Sequence, residues 1–272
     1  MTKPFFKWVG GKRRLTSRLI ELMPETFGEY FEPMVGGGAL FFAHDKHPNR
    51  DHILTDLNQE LITTYQVVRD NPERLIVALE VYRLGYEPAR DKREYYNTVR
   101  AMSPEDPILV AARFLFLNKT GFNGLYRVNR SGGFNVPWGK RERFNYDATN
   151  IRACSAKLEH VDIRCADFES ILSEPTEGDF VYIDPPYIPI SPTAKFTEYQ
   201  PGGFGLEEHE RLAQTFRDLD RRGVKVMLSN SHSPLVGRLY EGYDIQAVYT
   251  VHSVAAERSA RGRIAEVVVR NY

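Results

Sequence analysis

The sequence has little cysteine, no net charge and no long apolar run. Its 272 residues include two cysteines, Cys154 and Cys165, in no Cys-x-x-Cys pair, which excludes a disulfide-stapled scaffold and predicts a reducing cytoplasm. No apolar run reaches membrane-spanning length, and we expect no signal peptide. The 36 Lys and Arg balance the 36 Asp and Glu. Any nucleic-acid-binding charge must therefore be segregated along the chain.

Several common catalytic patterns are also missing. His44 and His47 have a possible metal spacing, but no ligand set accompanies them, so we predict no metal site and expect both to be exposed polar residues. The run Gly10-Gly11-Lys12 lacks the upstream glycine and the following Ser or Thr of a P-loop. The chain is therefore not expected to bind a nucleoside triphosphate or a metal.

The most informative stretch is Asp184-Pro185-Pro186-Tyr187, which follows an apolar run that predicts a buried parallel strand. Open α/β sheets bind ligands at the carboxyl ends of such strands. Asp184 and the Pro185 carbonyl can each accept one N–H bond of a planar amino group, while Tyr187 stacks on the attached ring. A Pro-rich turn without function is the alternative for such a stretch taken alone.

A second element spans residues 30–43, where a strand, a glycine turn and a helix follow one another. Gly36, Gly37 and Gly38 permit a close approach of a ligand to the backbone and the helix N-terminus. Asp56 ends the next predicted strand, at about the separation at which an acidic residue meets ribose hydroxyls. The pattern indicates a cofactor that contains adenosine.

Positive charge is concentrated between Lys119 and Arg143. Six basic residues against one acidic residue, Glu142, give this segment a net charge of +5. Glycine and asparagine make it a loop or hairpin, with four aromatic residues interleaved: Phe122, Tyr126, Phe134 and Trp138. Such a segment can neutralise phosphates and contact base edges in DNA, although a solvated charged loop is the simpler alternative.

The remaining pattern alternates strands and helices. Apolar residues at helical spacing from Asn58 to about Asp147 predict an inserted helical module, and an α/β pattern resumes after it. A strand at residues 161–165 leads to Asp167 and Phe168, which suit an adenine amino group and an adenine ring. The pattern predicts an α/β fold interrupted by a helical and loop insertion.

Three runs, in this order, resemble the Dam-type DNA adenine-N6 methyltransferases of the D12 class: residues 7–12 (KWVGGK), 31–38 (FEPMVGGG) and 184–187 (DPPY). The resemblance extends to residues 122–127, 134–137 and 228–231. It is greatest to the GATC modification methylases of restriction systems, at residues 123–129 and 259–263. Met34 and Lys140-Arg141 depart from the family's Phe and Arg-Tyr, which puts aromatic intercalation at the second position in doubt.

The resemblance implies a Rossmann-like S-adenosylmethionine-dependent methyltransferase sheet, formed by residues 1–57 and 147–272, with a target-recognition domain inserted at residues 58–146. The predicted catalytic residues are Asp184, Pro185 and Tyr187. The predicted cofactor-binding residues are Trp8, Lys12, Pro33, Gly36, Gly38, Asp56, Asp167, Phe168 and Asp184. The predicted DNA-binding residues are Lys7, Asn123, Leu125, Arg127, Asn129, Pro137, Lys140 and Arg141.

The resemblance also implies a reaction: methyl transfer from S-adenosylmethionine to N6 of adenine in double-stranded DNA, within GATC. The expected biological setting is protection against a cognate restriction endonuclease, by a cytoplasmic monomer. Two alternatives stay open at this point. A related methyltransferase could act on RNA or on a protein glutamine, and a GATC-binding module could lack catalysis altogether.

Overall fold

The computed structural model describes residues 2–45, 52–129, 131–187, 204–251 and 263–272. Arg130, His47 and residues 259–262, all singled out in the sequence, lie outside this range. The strands are β1 (Tyr30–Pro33), β2 (His52–Asp56), β3 (Val161–Cys165), β4 (Phe180–Ile183), β5 (Lys225–Ser231), β6 (Asp244–Val251) and β7 (Arg263–Arg270). They form one sheet with the order β3-β2-β1-β4-β5-β7-β6.

The first five strands are parallel, and β7 runs antiparallel to both of its neighbours, β5 and β6. The predicted α/β fold with a largely parallel sheet is confirmed. The predicted strand at residues 179–183 is the central strand β4, paired on both sides with parallel strands. Its continuous apolar sequence follows from this position, because both faces of the strand are covered.

The helices are α1 (Thr16–Leu22), α2 (Ala39–Ala43), α3 (Gln59–Asp70), α4 (Pro72–Tyr86), α5 (Lys92–Ala101), α6 (Pro107–Thr120), α7 (Ala148–Leu158), α8 (Phe168–Ile171), α9 (Leu206–Arg221) and α10 (Pro234–Leu239). Short polar side chains begin many of them. Asn58 Oδ1, for example, accepts a hydrogen bond from Leu61 N at 3.1 Å at the start of α3. Such a cap stabilises a helix by about 1 kcal/mol. The sequence did not predict α5, which begins after a similar cap, Asp91.

Side chains alternate across the sheet and build one hydrophobic core on each face. Along β4, Phe180 and Tyr182 belong to the core beneath α3, α6 and α7, whereas Val181 and Ile183 pack with α9. The helices that follow Asn58 therefore share a core with the sheet. The helices of the predicted insertion are packed directly on the sheet, which holds the residues that follow α6 next to the carboxyl ends of the strands.

The prediction that His44 is an exposed polar residue was wrong. Its side chain is 3% exposed, and its ring packs edge-on against Tyr30 at 5.0 Å. Burial follows because α2 brings the residue against β1. In the part of the chain described by the structure, no group of three or more His, Cys, Asp and Glu residues is arranged to hold a metal ion. No helix in that part is long and apolar enough to cross a membrane.

Candidate active site

The two predicted site motifs lie side by side because β1 and β4 are neighbouring parallel strands. Tyr30 of β1 is paired with Phe180 of β4, so both strands end at the same edge of the sheet. The order of strands also changes direction here, because β2 and β3 lie on one side of β1, and β4 and β5 on the other. The crevice at such a switch point is where α/β sheets bind ligands.

The turn after β1 follows a left-handed backbone path. The φ angles of Met34, Gly36 and Gly38 are 61°, 46° and 59°. A Cβ on Gly36 would lie 2.7 Å from the indole of Trp8, so no side chain fits there. The turn therefore brings bare backbone against Trp8, which suits the close approach of a nucleoside.

Asp56 ends β2 and is held by backbone donors of this turn. Its Oδ2 accepts a hydrogen bond from Gly36 N at 3.1 Å, and its Oδ1 accepts one from Asn58 N at 2.9 Å. Burial raises the pKa of the carboxyl group, and these donors oppose the shift. The Leu57 backbone is a third donor, and a carboxylate with roughly four lone-pair sites retains room for a further hydrogen bond. The predicted ribose-binding residue thus lies directly beside the glycine turn.

Lys12 joins the N-terminal segment to the motif after β4. Its Nζ lies 2.7 Å from Asp184 Oδ1 and 4.5 Å from the centroid of the Tyr187 ring. The Lys12 and Asp184 side chains are 5% and 20% exposed. Burial raises the pKa of Asp184, whereas the neighbouring ammonium lowers it. An N–H donor therefore occupies the position, above Tyr187 and against Asp184, that the sequence predicted for a planar amino group.

The other members of the predicted sets lie close to these residues. Pro185 is buried and Pro186 is exposed, so the second proline faces solvent at the end of β4. Pro33, the last residue of β1, and Gly38 in the turn that follows are both buried. Trp8 is half-buried and packs against Tyr126, with ring centroids 5.6 Å apart and the ring planes tilted by 31°. The structure thus brings the N-terminal, glycine-turn and DPPY motifs together at one edge of the sheet.

Asp167 and Phe168 lie at the end of β3, where they were expected to hold adenine. Asp167 Oδ1 accepts a hydrogen bond from Glu169 N at 3.0 Å and begins α8. The Phe168 ring is 3% exposed, and the Arg211 guanidinium lies 4.5 Å from its centroid. An adenine stacked on this ring would take the place of Arg211. The predicted role of both residues stays a prediction.

The sequence analysis missed Glu32, a buried carboxyl group in β1. It is 2% exposed, and Tyr30 donates a hydrogen bond to its Oε2 at 2.7 Å. Burial and, to a smaller degree, the charge of Asp184 raise the pKa of Glu32 to about 8, although the hydrogen bond from Tyr30 opposes the shift. The sequence signal that could have identified Glu32 is an acidic residue within the apolar run of β1. Glu32 is therefore uncharged at neutral pH.

We expect Glu32→Gln to stabilise the protein at about pH 8 and to leave its stability nearly unchanged near the ordinary pKa of 4.5. Between these values the native state keeps a proton that the unfolded chain has lost, so the stability of the wild type falls as pH rises. Glutamine has no such proton. Urea unfolding of both proteins at several pH values measures the difference, and a difference that does not vary with pH would contradict the assignment.

The basic segment forms a hairpin beside this site. We call residues 121–141, apart from Arg130, the recognition hairpin; antiparallel bridges join Gly121 to Trp138 and Val128 to Phe134. The predicted DNA-binding residues that are exposed are Lys7, Asn123, Arg127, Asn129, Pro137, Lys140 and Arg141, and Leu125 is half-buried. The hairpin therefore presents basic, amide and apolar groups together.

Two of these side chains also hold the hairpin in shape. Asn129 Oδ1 accepts hydrogen bonds from Ser131 N at 3.0 Å and from Gly133 N at 2.9 Å, which closes the turn. Arg127 Nε donates to Asn135 Oδ1 at 2.6 Å, and its Nη2 donates to the Asn135 carbonyl at 3.1 Å. The guanidinium of Arg127 is therefore held in a defined orientation on the hairpin surface.

Of the four aromatic residues in the segment, Phe122 alone is exposed, at 50%. Tyr126, Phe134 and Trp138 pack against the core instead. Tyr126 donates a hydrogen bond to Glu60 Oε2 at 3.0 Å. The interleaved aromatics therefore mainly fasten the hairpin to the helices, a role that their spacing does not reveal.

Buried Asn118 fastens the hairpin to the N-terminal segment. Its Oδ1 accepts from Lys7 N at 3.0 Å, and its Nδ2 donates to the carbonyls of Lys7 at 2.8 Å and Gly124 at 2.9 Å. Lys119 follows it. Burial lowers the pKa of Lys119, and the positive charges of Lys7, Lys3 and Arg13 lower it further. These cations form an electropositive area that joins the hairpin to the N-terminus.

The fold and the site define an S-adenosylmethionine-dependent methyltransferase that acts on an amino group. A glycine turn with a neighbouring acidic residue suits a nucleoside cofactor, and the Asp184 and Tyr187 pair suits a planar amine. The model of the D12 class N6 adenine-specific DNA methyltransferase family matches residues 8–259. The chain belongs to this family, and it is a DNA adenine-N6 methyltransferase.

The relatives include modification enzymes and DNA adenine methylases. The type II methyltransferase M1.LlaDCHI of Lactococcus lactis is 40% identical over 279 residues, which cover 99% of this chain and 95% of the relative. The type II methyltransferase M.MjaIII of Methanocaldococcus jannaschii is 38% identical, covering 99% of both chains. The DNA adenine methylase of Escherichia coli is 30% identical, covering 98% of this chain and 94% of the relative. This membership favours DNA over RNA or protein as the substrate, and an enzyme over a binding module.

Proposed function

We propose that the enzyme methylates adenine N6 within GATC sites of double-stranded DNA and thereby protects the DNA from a cognate restriction endonuclease. The observation that carries the chemistry is the position of the Lys12 ammonium, 2.7 Å from Asp184 and 4.5 Å from the Tyr187 ring centroid. A hydrogen-bond donor is therefore favourable between the Asp184 carboxylate and the face of the Tyr187 ring. The amino group of an adenine would displace Lys12 from the carboxylate and retain the same pair of contacts.

The proposed mechanism uses these residues to prepare a weak nucleophile. Bound in this site, S-adenosylmethionine would supply the methyl group from its positively charged sulfur and would leave as neutral S-adenosylhomocysteine. Asp184 and the Pro185 carbonyl accept hydrogen bonds from the two N6–H groups, which favours a more pyramidal and electron-rich nitrogen in the transition state. One of these protons leaves the nitrogen for water after the methyl group has been transferred. Tyr187 stacks on the adenine and offsets the stacking lost when the base leaves the duplex. Placement of the amine supplies much of the remaining rate.

The residues proposed to hold the cofactor surround the glycine turn. Asp56 would accept hydrogen bonds from ribose hydroxyls, and Gly36 would allow the close approach of the backbone. Trp8 would lie against the same nucleoside, and Asp167 and Phe168 would bind adenine. The fit is supported by the bare backbone of Gly36, which lies so close to Trp8 that a Cβ would be 2.7 Å from the indole, and by the Asp56 carboxylate, which lies within 3.1 Å of the turn.

The hairpin supplies the proposed sequence recognition. Arg127 would contact guanine through its two guanidinium nitrogens, while Leu125 and Pro137 would contact thymine methyl groups. Lys7 completes the reading set, and Asn123 lies near the flipped base. Support for GATC comes from residues 123–129, which resemble those of GATC modification methylases. The relatives named type II methyltransferases support a restriction partner.

Phosphate contacts would come from the cations around this reading set. Lys140, Arg141 and Asn129 lie on the hairpin, and Lys119 and Lys3 extend the charge toward the N-terminus. Such contacts position the duplex without specifying its sequence. We accordingly assign target recognition to residues 58–146 and catalysis to residues 1–57 and 147–272, in a cytoplasmic monomer.

The direct test is to methylate unmodified plasmid with the purified enzyme and to map N6-methyladenine at single-base resolution. We expect methylation at GATC and, for Arg127→Ala, a preference for guanine that is lower by about tenfold to a hundredfold. Arg143→Ala is the control, because this exposed arginine is outside the reading set and should weaken binding to all sequences alike. Methylation at another motif would overturn the reading set, and absence of methylated DNA would overturn the proposed function.

A further inference from the structure

Glu266 is the only acidic residue in the sequence of β7, between Ala265 and three valines. In the register of the sheet it is paired with Ser231, the last residue of β5, and with Val248 of β6. Because β5 runs parallel to β4, the end of β5 lies at the same edge of the sheet as the end of β4. The antiparallel strand β7 thus returns a carboxylate to the active-site edge, although it is 79 residues from Tyr187 in sequence.

The Tyr187 hydroxyl donates a hydrogen bond to Glu266 Oε2. Burial, followed by the charges of Asp184 and Glu266, raises the pKa of Tyr187 well above its ordinary value. The phenol therefore keeps its proton, and remains a donor, over the whole range in which the enzyme is expected to work. This hydrogen bond attaches the hydroxyl end of the Tyr187 ring to β7. The Cβ end of the ring follows the two prolines of the motif, which restrict the backbone.

We propose that Glu266 is a positioning residue for catalysis: its carboxylate holds the Tyr187 hydroxyl and so sets the plane of the ring on which the target adenine stacks. This inference depends on the proposed role of Tyr187. A ring fixed only at Cβ rotates about two side-chain torsions, and stacking needs one orientation. Holding the distant hydroxyl removes that freedom before the base enters, so that the amino group meets Asp184 in reactive geometry.

The test compares single-turnover methylation by the full-length wild type, Tyr187→Phe, Glu266→Ala, Glu266→Gln and the double variant Tyr187→Phe/Glu266→Ala. We expect Tyr187→Phe and Glu266→Ala each to lower the rate constant by about tenfold, as befits one hydrogen bond that acts in the transition state. The double variant should be no slower than the slower single variant, because both changes break the same bond. Glu266→Gln, whose amide oxygen still accepts, should stay within about threefold of the wild type.

Measurements of binding affinity distinguish a loss of ring orientation from a general loss of structure. The affinities for S-adenosylmethionine and for DNA should stay within about twofold in these variants, since only ring orientation changes. Asp244→Asn is the matched control: it removes a carboxylate that pairs with Arg270 at the other end of β7. It should leave the rate constant unchanged.

Three results would overturn the inference: a wild-type rate constant for Glu266→Ala, multiplied losses in the double variant, or a Glu266→Gln that is as slow as Glu266→Ala with unchanged thermal stability. If Glu266→Ala does not fold, Glu266→Gln/Tyr187→Phe replaces it and must match Tyr187→Phe. Tyr187→Ala distinguishes the proposed role of Tyr187 from the proposed role of Glu266. Full activity in Tyr187→Ala would remove the proposed role of Tyr187, whereas slow Tyr187→Ala with fast Glu266 variants would remove only the role of Glu266.

Discussion

Replacement of Asp184 by alanine is expected to lower the rate constant of methyl transfer by about a thousandfold or more, because a preorganised group that stabilises transition-state charge contributes about this much. The carboxylate is the acceptor against which the amine must lie, and Lys12 already marks that position at 2.7 Å. Alanine removes the acceptor but leaves the glycine turn and the recognition hairpin in place. Affinities for cofactor and DNA should therefore fall far less than the rate constant.

Asp184→Asn is the matched variant for this measurement. Asparagine keeps the size and one acceptor oxygen but loses the negative charge, so an intermediate rate constant is expected. Single-turnover assays give the rate constant, calorimetry gives cofactor affinity, and thermal unfolding checks that the buried Lys12 ammonium tolerates the loss of its partner. Full activity in Asp184→Ala would show that the amine is activated elsewhere.

Gly36→Ala is expected to lower the affinity for S-adenosylmethionine by about 100-fold, which corresponds to about 2.7 kcal/mol. The residue has a φ of 46°, a conformation that costs an L-amino acid about 1–2 kcal/mol. Its new Cβ would also lie 2.7 Å from Trp8, so the indole must leave its position. Both changes alter the surface proposed to receive the nucleoside.

Gly237→Ala is the control for Gly36→Ala, because a Cβ at Gly237 in α10 meets nothing within 4 Å. It should retain wild-type affinity and stability. Isothermal titration with S-adenosylmethionine compares the two variants, and thermal unfolding separates a loss of affinity from a loss of fold. Equal affinity of Gly36→Ala and the wild type would place the nucleoside away from this turn.

Much of the β and α order, the burial of β4 as a parallel strand and the helices after Asn58 other than α5 could be predicted from the sequence. These features depend on local patterns, namely apolar periodicity, caps and glycine turns. The motif residues were found for a similar reason: each motif is contiguous, and parallel strands carry contiguous motifs to one edge. The prediction was therefore strongest where neighbours in the chain are also neighbours in the site.

The missed features are contacts between distant parts of the chain. Nothing near Glu266 in sequence indicates that its partner is Tyr187, and nothing near Lys12 places its ammonium on Asp184. The uncharged state of Glu32 depends on complete burial, which local sequence does not specify. The wrong prediction for His44 has the same origin, since a histidine beside a short helix gives no sign of the strand that covers it.

The contact between Tyr126 and Trp8 bears on how this enzyme can change its target sequence. Tyr126 belongs to the recognition hairpin, yet its ring packs against that of Trp8, a residue proposed to hold the cofactor, with the ring centroids 5.6 Å apart. The proposed cofactor site and the hairpin proposed to recognise the sequence therefore share a surface at the base of the hairpin. Substitutions are expected to be least costly beyond that surface, at Arg127, Asn129 and Asn135, whose side chains hydrogen-bond within the hairpin. New specificities in this family are accordingly expected to arise by substitutions at the tip, while the base of the hairpin is inherited together with the cofactor site.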